Sequence, residues 1–239
     1  MKLIDLHAHS SGISTCCKCD FREGVDRAKA VGLSGFVLTN HYTSSYVVND
    51  DFDEFARRYL EEYRAAKEYG DSVDFRVFFG IEVTAELYEG VHLLVYGIPP
   101  EFLPEHPRLC NDSQQELYRE VHRAGGILVQ AHPYRGKPRL MDLAYLDGVE
   151  ISCHPHLHYG GSFQTEMAEI ARQNGKLLTC GGDYHADVRY RPCCGVFVPD
   201  GVSDGIALKD YLLRERNLRL RVHEPGGDWN DFTYQRKDS

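Results

Sequence analysis

Short apolar segments alternate with amphipathic helical segments along most of this chain, and that alternation restricts the fold more than any other feature. "KLIDL", "GFVLT", "FRVFFGIEVT", "ILVQ", "GVEIS", "LLTCG", "GVFV" and "LRLRV" read as strands. "VHLLVYGI" reads as the ribbon partner of "FRVFFGIEVT" across "AELYEG". "FREGVDRAKAVG", "DDFDEFARRYLEEYRAAKEYG", "CNDSQQELYREVHRAGG", "FQTEMAEIARQNGK" and "SDGIALKDYLLRE" have helical spacing. In the second of these, Phe52, Phe55, Tyr59 and Tyr63 share one face. Gly32 and Gly175 follow helical runs as C-terminal stops, and Asp112 or Ser113 caps the third helix. Strand–helix alternation implies a mostly parallel sheet. Six or seven such units in 239 residues suit a closed or nearly closed α/β barrel. A doubly wound open sheet is the alternative, but "HSSGIS" after the first strand lacks the Gly-rich dinucleotide turn. A single domain over 1–239 is expected, with a polar tail over about 223–239.

The polar residues fall where such a barrel gathers them. Strand after strand ends in a histidine or an acid: His7 and His9, His41, Glu82 with His92 on its ribbon partner, His132, Glu150 with His154 and His156 beyond, then Asp183 and His185. In a parallel barrel all these ends lie on one face. His7 and His9 are two apart, as are Asp183 and His185, so each pair projects to one side of an extended segment. A single histidine at a strand end is usually a hydrogen-bonded surface residue. The repetition, and the cost of burying Glu82 unpaired inside an apolar strand, point instead to a metal cluster. Imidazole mixed with carboxylate and without thiolate suits Zn, Mn or Fe(II). The donors outnumber what one tetrahedral ion uses, so two or three ions are expected, with Glu82 and Asp183 as candidate bridges.

Composition narrows the partners. A net charge of -9 sets the chain against sequence-independent nucleic-acid binding, leaving at most a nucleotide or short oligonucleotide as substrate. Metal ions and a few arginines can still make an acidic protein's pocket locally positive enough to bind an acidic substrate. No apolar run has membrane-spanning length and the first residues lack the apolar region of a secretory leader, so no membrane partner and a cytoplasmic location are expected. The eight cysteines are accordingly read as free thiols, with no role for Cys16, Cys17 and Cys19 beyond a loop.

"DLHAHS", "TNHY", "GIEVT" with the later "HLLVYGI", "AHPYR", "VEI" and "GGDYHADV", in that order, resemble the motifs of the polymerase and histidinol phosphatase (PHP) family. The likeness runs from Asp5 to about Gly195. It implies a distorted (β/α)7, TIM-like barrel and a phosphoesterase with two or three Zn, Mn or Fe ions. Carried over, His7, His9, Glu82 and Asp183 hold the first ion, Glu82, His92 and His132 the second, and His41 and His185 belong to a third. Asp5 supports a ligand histidine from behind. Two positions depart from the family pattern. Asn40 stands where the family usually has Asp, and Ser14 and Thr15 stand where it often has Asp or His.

The reaction this implies is hydrolysis of a phosphate ester by a water activated between ions. Asp183 anchors that cluster, while His185 or His41 protonates the leaving alkoxide. Arg135, in "HPYRGKPR", is the first candidate for holding phosphate, with Lys137, Arg139, Arg189 and Arg191 behind it. His154 and His156 are candidate substrate contacts. The rival expectations are a metal-dependent amidohydrolase, which starts from a similar His-x-His strand, and a non-catalytic metal-binding regulatory barrel.

Overall fold

The structure is a computed structural model that describes residues 1–134, 139–154, 162–185, 192–223 and 228–237. Strand β1 (Lys2–Ala8) is buried from its second residue onward. Helix α1 (Phe21–Ala30) starts where the Asp20 carboxylate accepts the Glu23 N–H, and stops before Gly32 at φ 94°. Strands β2 (Gly35–Leu38) and β3 (His41–Tyr42) follow. Helix α2 (Phe52–Ser72) then lays Phe52, Phe55 and Tyr59 against the sheet. Strands β4 (Arg76–Thr84) and β5 (His92–Tyr96) form the expected antiparallel ribbon. The short α3 (Phe102–Glu105) precedes α4 (Gln114–Arg123), which opens on a complete capping box between Ser113 and Glu116. Next come β6 (Ile127–Gln130), β7 (Gly148–Ser152), α5 (Ser162–Gln173), β8 (Leu177–Gly181) and β9 (Gly195–Val198). Helix α6 (Gly205–Arg214), β10 (Asn217–His223) and β11 (Trp229–Gln235) complete the order.

The strands pair in the order β11-β10-β9-β1-β2-β4-β5-β6-β7-β8, with β3 beside β4. From β1 round to β8 the sheet curls into a nearly closed barrel. Its seam is the parallel bridge between Ala8 and Tyr184, just beyond the end of β8. A regular (β/α)7 repeat is not what forms. β5 runs antiparallel to both neighbours, because a turn at Gly90 (φ 71°) returns the chain directly and leaves no length for a crossover helix. Among the described residues, β6 and β7 are joined through only a 3-10 turn at Leu143–Tyr145.

Apolar side chains fill the interior, and Tyr96 crosses it, donating from its hydroxyl to the Leu6 carbonyl at 2.9 Å. The C-terminal segment also departs from expectation. In place of a polar tail, β11 pairs with β10 over seven residues, from Asn217↔Gln235 to His223↔Trp229. Only Tyr234 of β11 is buried, so backbone pairing, with no apolar alternation to announce it, makes this strand.

Candidate metal centre

The ends of the barrel strands bring the predicted donors into one buried cavity. Glu82, wholly buried on β4, is its hub. Its carboxylate lies 3.3 Å from His7 Nε2, 3.4 Å from His9 Nε2, 2.6 Å from His41 Nδ1, 2.8 Å from His92 Nδ1 and 3.0 Å from His132 Nε2. Asp183 Oδ1 lies 3.2 Å from His9 Nε2, 3.4 Å from His7 Nε2 and 3.3 Å from His185 Nδ1. His41 reaches the hub because β3 pairs in register with β4, placing His41 directly opposite Glu82. The Tyr59 hydroxyl, 2.8 Å from the Asn40 carbonyl and 2.9 Å from that of Gly80, ties this corner to α2.

Four sets of ligand atoms converge within 4.8 Å: His7, Glu82, His132 and Asp183; His41, Glu82 and His92; His9, His41 and His185; His154, Asp183 and His185. These sets overlap those the family motifs imply. His132 also comes within reach of His7 and Asp183, and His9, its Nε2 3.2 Å from Asp183 Oδ1, has its ring 4.4 Å and 4.3 Å from those of His41 and His185. His154, expected as a substrate contact, falls in a donor set. Arg135 and His156, together with Lys137, Arg189 and Arg191, lie outside the described residues.

The supports are specific. Asp5 does not touch an imidazole. Its Oδ1 accepts the backbone N–H of His7 at 2.9 Å and of Gly182 at 2.8 Å, locking β1 to the turn that carries Asp183. The ring of His7 is instead held by Glu150, through Nδ1–H to Oε1 at 2.9 Å, and Glu150 Oε2 takes the His132 N–H at 3.1 Å. Asn40 Oδ1 accepts from Ser10 N–H and from the Ser14 hydroxyl, and that hydroxyl oxygen contacts His9 Nδ1 at 3.1 Å. Glu150, which the strand-end pattern picks out without its partner, and Ser14, which it does not pick out, are therefore positioning residues. Close packing fixes the neighbouring glycine: a Cβ on Gly181 would lie 2.3 Å from His7 Cβ. Two donors occupy left-handed backbone that side-chain-bearing residues seldom adopt, His132 at φ 27° and Asp183 at φ 47°.

Electrostatics follow from crowding. Burial opposes charge on Glu82, yet His41, His7 and His92 hold its carboxyl well below the usual range. Asp183 is likewise held low against burial, by His7 and His9. Burial, with His185 and His41 nearby, pushes His9 well below its ordinary value and leaves it neutral. His7 goes the other way: burial opposes its charge, but Glu150, Glu82 and Asp183 outweigh that and raise it well above its ordinary value. Cys16, exposed at the rim, has its thiol pulled down to about 5. Burial of the sulfur resists this, but hydrogen bonds with His185 and His41 prevail.

The arrangement fits a metal. His7 Nε2, His41 Nδ1 and Glu82 Oε2 are buried and make no hydrogen bond of acceptable direction, although each lies within 3.4 Å of an oppositely polar atom. Polar atoms that crowd together without aiming at one another are costly unless a cation takes their lone pairs. Glu82 belongs to two of the donor sets, as a carboxylate bridging two ions would. Among the described residues these sets contain neither thiolate nor lysine.

The chain matches no family model and no curated protein, so the PHP assignment stays a reading of its motifs. Solved structures do resemble it. A candidate metal-dependent phosphoesterase from Bifidobacterium adolescentis superposes with a TM-score of 0.59 at 18% identity, covering 88% of this chain and 96% of that one. PsfC from Pseudomonas syringae gives 0.62 at 17% identity, covering 88% and 87%. An amidohydrolase from Chromobacterium violaceum, solved with sulfate and no metal, gives 0.56 at 18%, covering 82% and 92%. At these identities the likeness is one of fold, a mixed α/β domain whose sheet curls into a nearly closed barrel.

Proposed function

We propose that this chain is a metal-dependent hydrolase of phosphate esters, holding two or three divalent ions of the Zn, Mn or Fe class and acting on a small phosphorylated substrate. The observation that carries the reading is Glu82, a single buried carboxylate shared by two sets of imidazole donors. His7, His132 and Asp183 would hold one ion with it, and His41 and His92 a second. His9, His41 and His185, or His154, Asp183 and His185, would supply the donors for a third. When bound, such ions neutralise phosphoryl oxygens and lower the pKa of water toward about 7.

The chain's own residues prepare the site for that chemistry. Glu150 orients His7, and Ser14, fixed by Asn40, orients His9. His185 donates Nδ1–H to the Asp183 carbonyl at 2.8 Å, which leaves Nε2 facing His41 Nε2 at 3.4 Å. Where no third ion is bound, one proton would be shared between those two rings at the more open side of the cavity, where His185 keeps 18% of its side chain exposed. There it is placed to pass to a departing alkoxide. An amidohydrolase remains the competing reading, because one structural neighbour carries that name.

The test loads purified protein separately with Mn, Zn or Fe(II) and assays panels of phosphate esters, amides and lactones. Metal-dependent phosphate release, abolished by chelator and in Asp183→Asn, is expected. Turnover confined to amides or lactones would assign the amidohydrolase reading instead. Metal-loaded protein inert on all panels would leave a metal-binding regulatory barrel.

A further inference from the structure

A second convergence of ligand atoms lies outside the donor sets described so far. Cys153 directly follows β7, Cys180 lies within β8, and Cys194 directly precedes β9. All three are buried, at 5%, 0% and 0% exposure. Their sulfurs lie within 4.8 Å of one another, and Cys153 Sγ is 3.6 Å from Cys180 Sγ. Four ligands disposed tetrahedrally at a Zn–S distance of about 2.3 Å have sulfur–sulfur edges of about 3.8 Å. The cluster therefore already has the dimensions of a thiolate cage.

A buried cysteine is ordinarily a small apolar filler. That role would place each sulfur against carbon. Here the sulfurs of Cys153, Cys180 and Cys194 hydrogen-bond to one another, and Cys153 also receives the backbone N–H of His223. Cys180 Sγ lies 3.2 Å from the Arg221 carbonyl. The His223 imidazole, at the end of β10, packs 5.0 Å from the Trp229 ring. Polar groups from β7, β8, β9 and β10 thus meet where the barrel joins its C-terminal extension.

We propose that Cys153, Cys180 and Cys194 together form a site for a thiophilic divalent cation of the zinc class. The inference stands independently of what the main centre hydrolyses. Binding replaces thiol protons with metal–sulfur bonds and releases those protons to solvent. The His223 N–H supports the sulfur charge from behind. The ion would tie β7 and β8 of the barrel to β9 and β10 of the extension, adding to the backbone pairing and apolar contact already at this junction.

The full chain, reduced and loaded with Co(II), tests this. A sulfur-to-cobalt charge-transfer band in the near ultraviolet is expected. It should persist in Cys16→Ser, Cys110→Ala and His9→Ala, and vanish in Cys194→Ala with loss of one ion per chain. Cobalt-loaded wild type without the band overturns the site. So does a band that survives Cys194→Ala but is lost in Cys16→Ser, since the thiolate would then sit at the main centre. Should Cys194→Ala fail to fold, X-ray absorption of the zinc-loaded wild type decides: a sulfur shell near ~2.3 Å supports the site, and nitrogen and oxygen shells alone overturn it. A main centre inactive on every ester, with the sulfur band intact, would end the hydrolase reading and leave this one standing.

Discussion

The histidine–carboxylate centre and the cysteine cluster are both buried, both polar and only a few residues apart along β7 and β8, yet they stand in opposite condition. Around Glu82, polar atoms crowd within 3.4 Å while three of them make no directed hydrogen bond, and two donors sit in strained backbone. Around Cys153 the sulfurs hydrogen-bond to one another and to the main chain, and Cys153 and Cys194 keep φ outside the left-handed region. The first arrangement needs cations to relieve it, whereas the second is satisfied by protons until a cation displaces them. Burial alone therefore does not mark a metal centre. What marks it is unsatisfied, convergent polarity maintained at the expense of stability.

That contrast is exposed most severely by Glu82→Gln. Losing the shared charge should remove ions from both donor sets and take phosphate release to background, with metal content by elemental analysis as the check. Retention of two ions would break the comparison. Next in size is Asp5. Burial pushes its carboxyl up from 3.8 to about 7, against the pull of the His7 and Gly182 N–H groups. Between those values Asp5 in the folded state binds the more protons, so its own contribution to stability is complete below about 4 and is lost as pH rises through about 7. The effect is at most about 4 kcal/mol. Urea midpoints measured across this range in chelator should show the decline in wild type, and Asp5→Asn should flatten it.

Glu150→Gln comes third. Glutamine has one oxygen for the two donors, His7 Nδ1–H and His132 N–H, that Glu150 now satisfies. Metal affinity should fall about 10- to 100-fold with the fold intact, as read by chelator competition. The smallest effect belongs to Cys194→Ala in zinc-free protein, about 1 kcal/mol or less by thermal unfolding, because the thiol cluster carries no uncompensated polarity without its ion. A larger loss would show that the cluster holds the extension through hydrogen bonding alone.

The sequence disclosed these regions unequally for physical reasons. The helical face of Phe52, Phe55 and Tyr59 and the β4–β5 ribbon follow from local periodicity, and both stand in the structure. The strand-end donors were legible because apolar runs set their phase and a barrel directs every such end to one face. Glu150 as the support of His7 was not, since the contact spans 143 residues and an acid inside a strand carries no sign of its partner. Ser14 was hidden for a similar reason: a hydroxyl in a loop has many local uses. Cys153, Cys180 and Cys194 are single cysteines on separate segments, without the paired spacing that announces a thiolate site. The barrel's departure from a regular repeat depended on one tight turn, and β11 on backbone pairing that no side-chain pattern records.

Tyr184 stands between Asp183 and His185, and it is also the residue that seals the barrel, its carbonyl accepting from His9 N–H and its own N–H reaching the His7 carbonyl. The wall of the vessel and the grip on its contents are thus one stretch of main chain. The residues that present Asp183 and His185 to the cavity are the same ones that fasten β1 to the segment after β8, so ligand placement and barrel closure share a single line of hydrogen bonds.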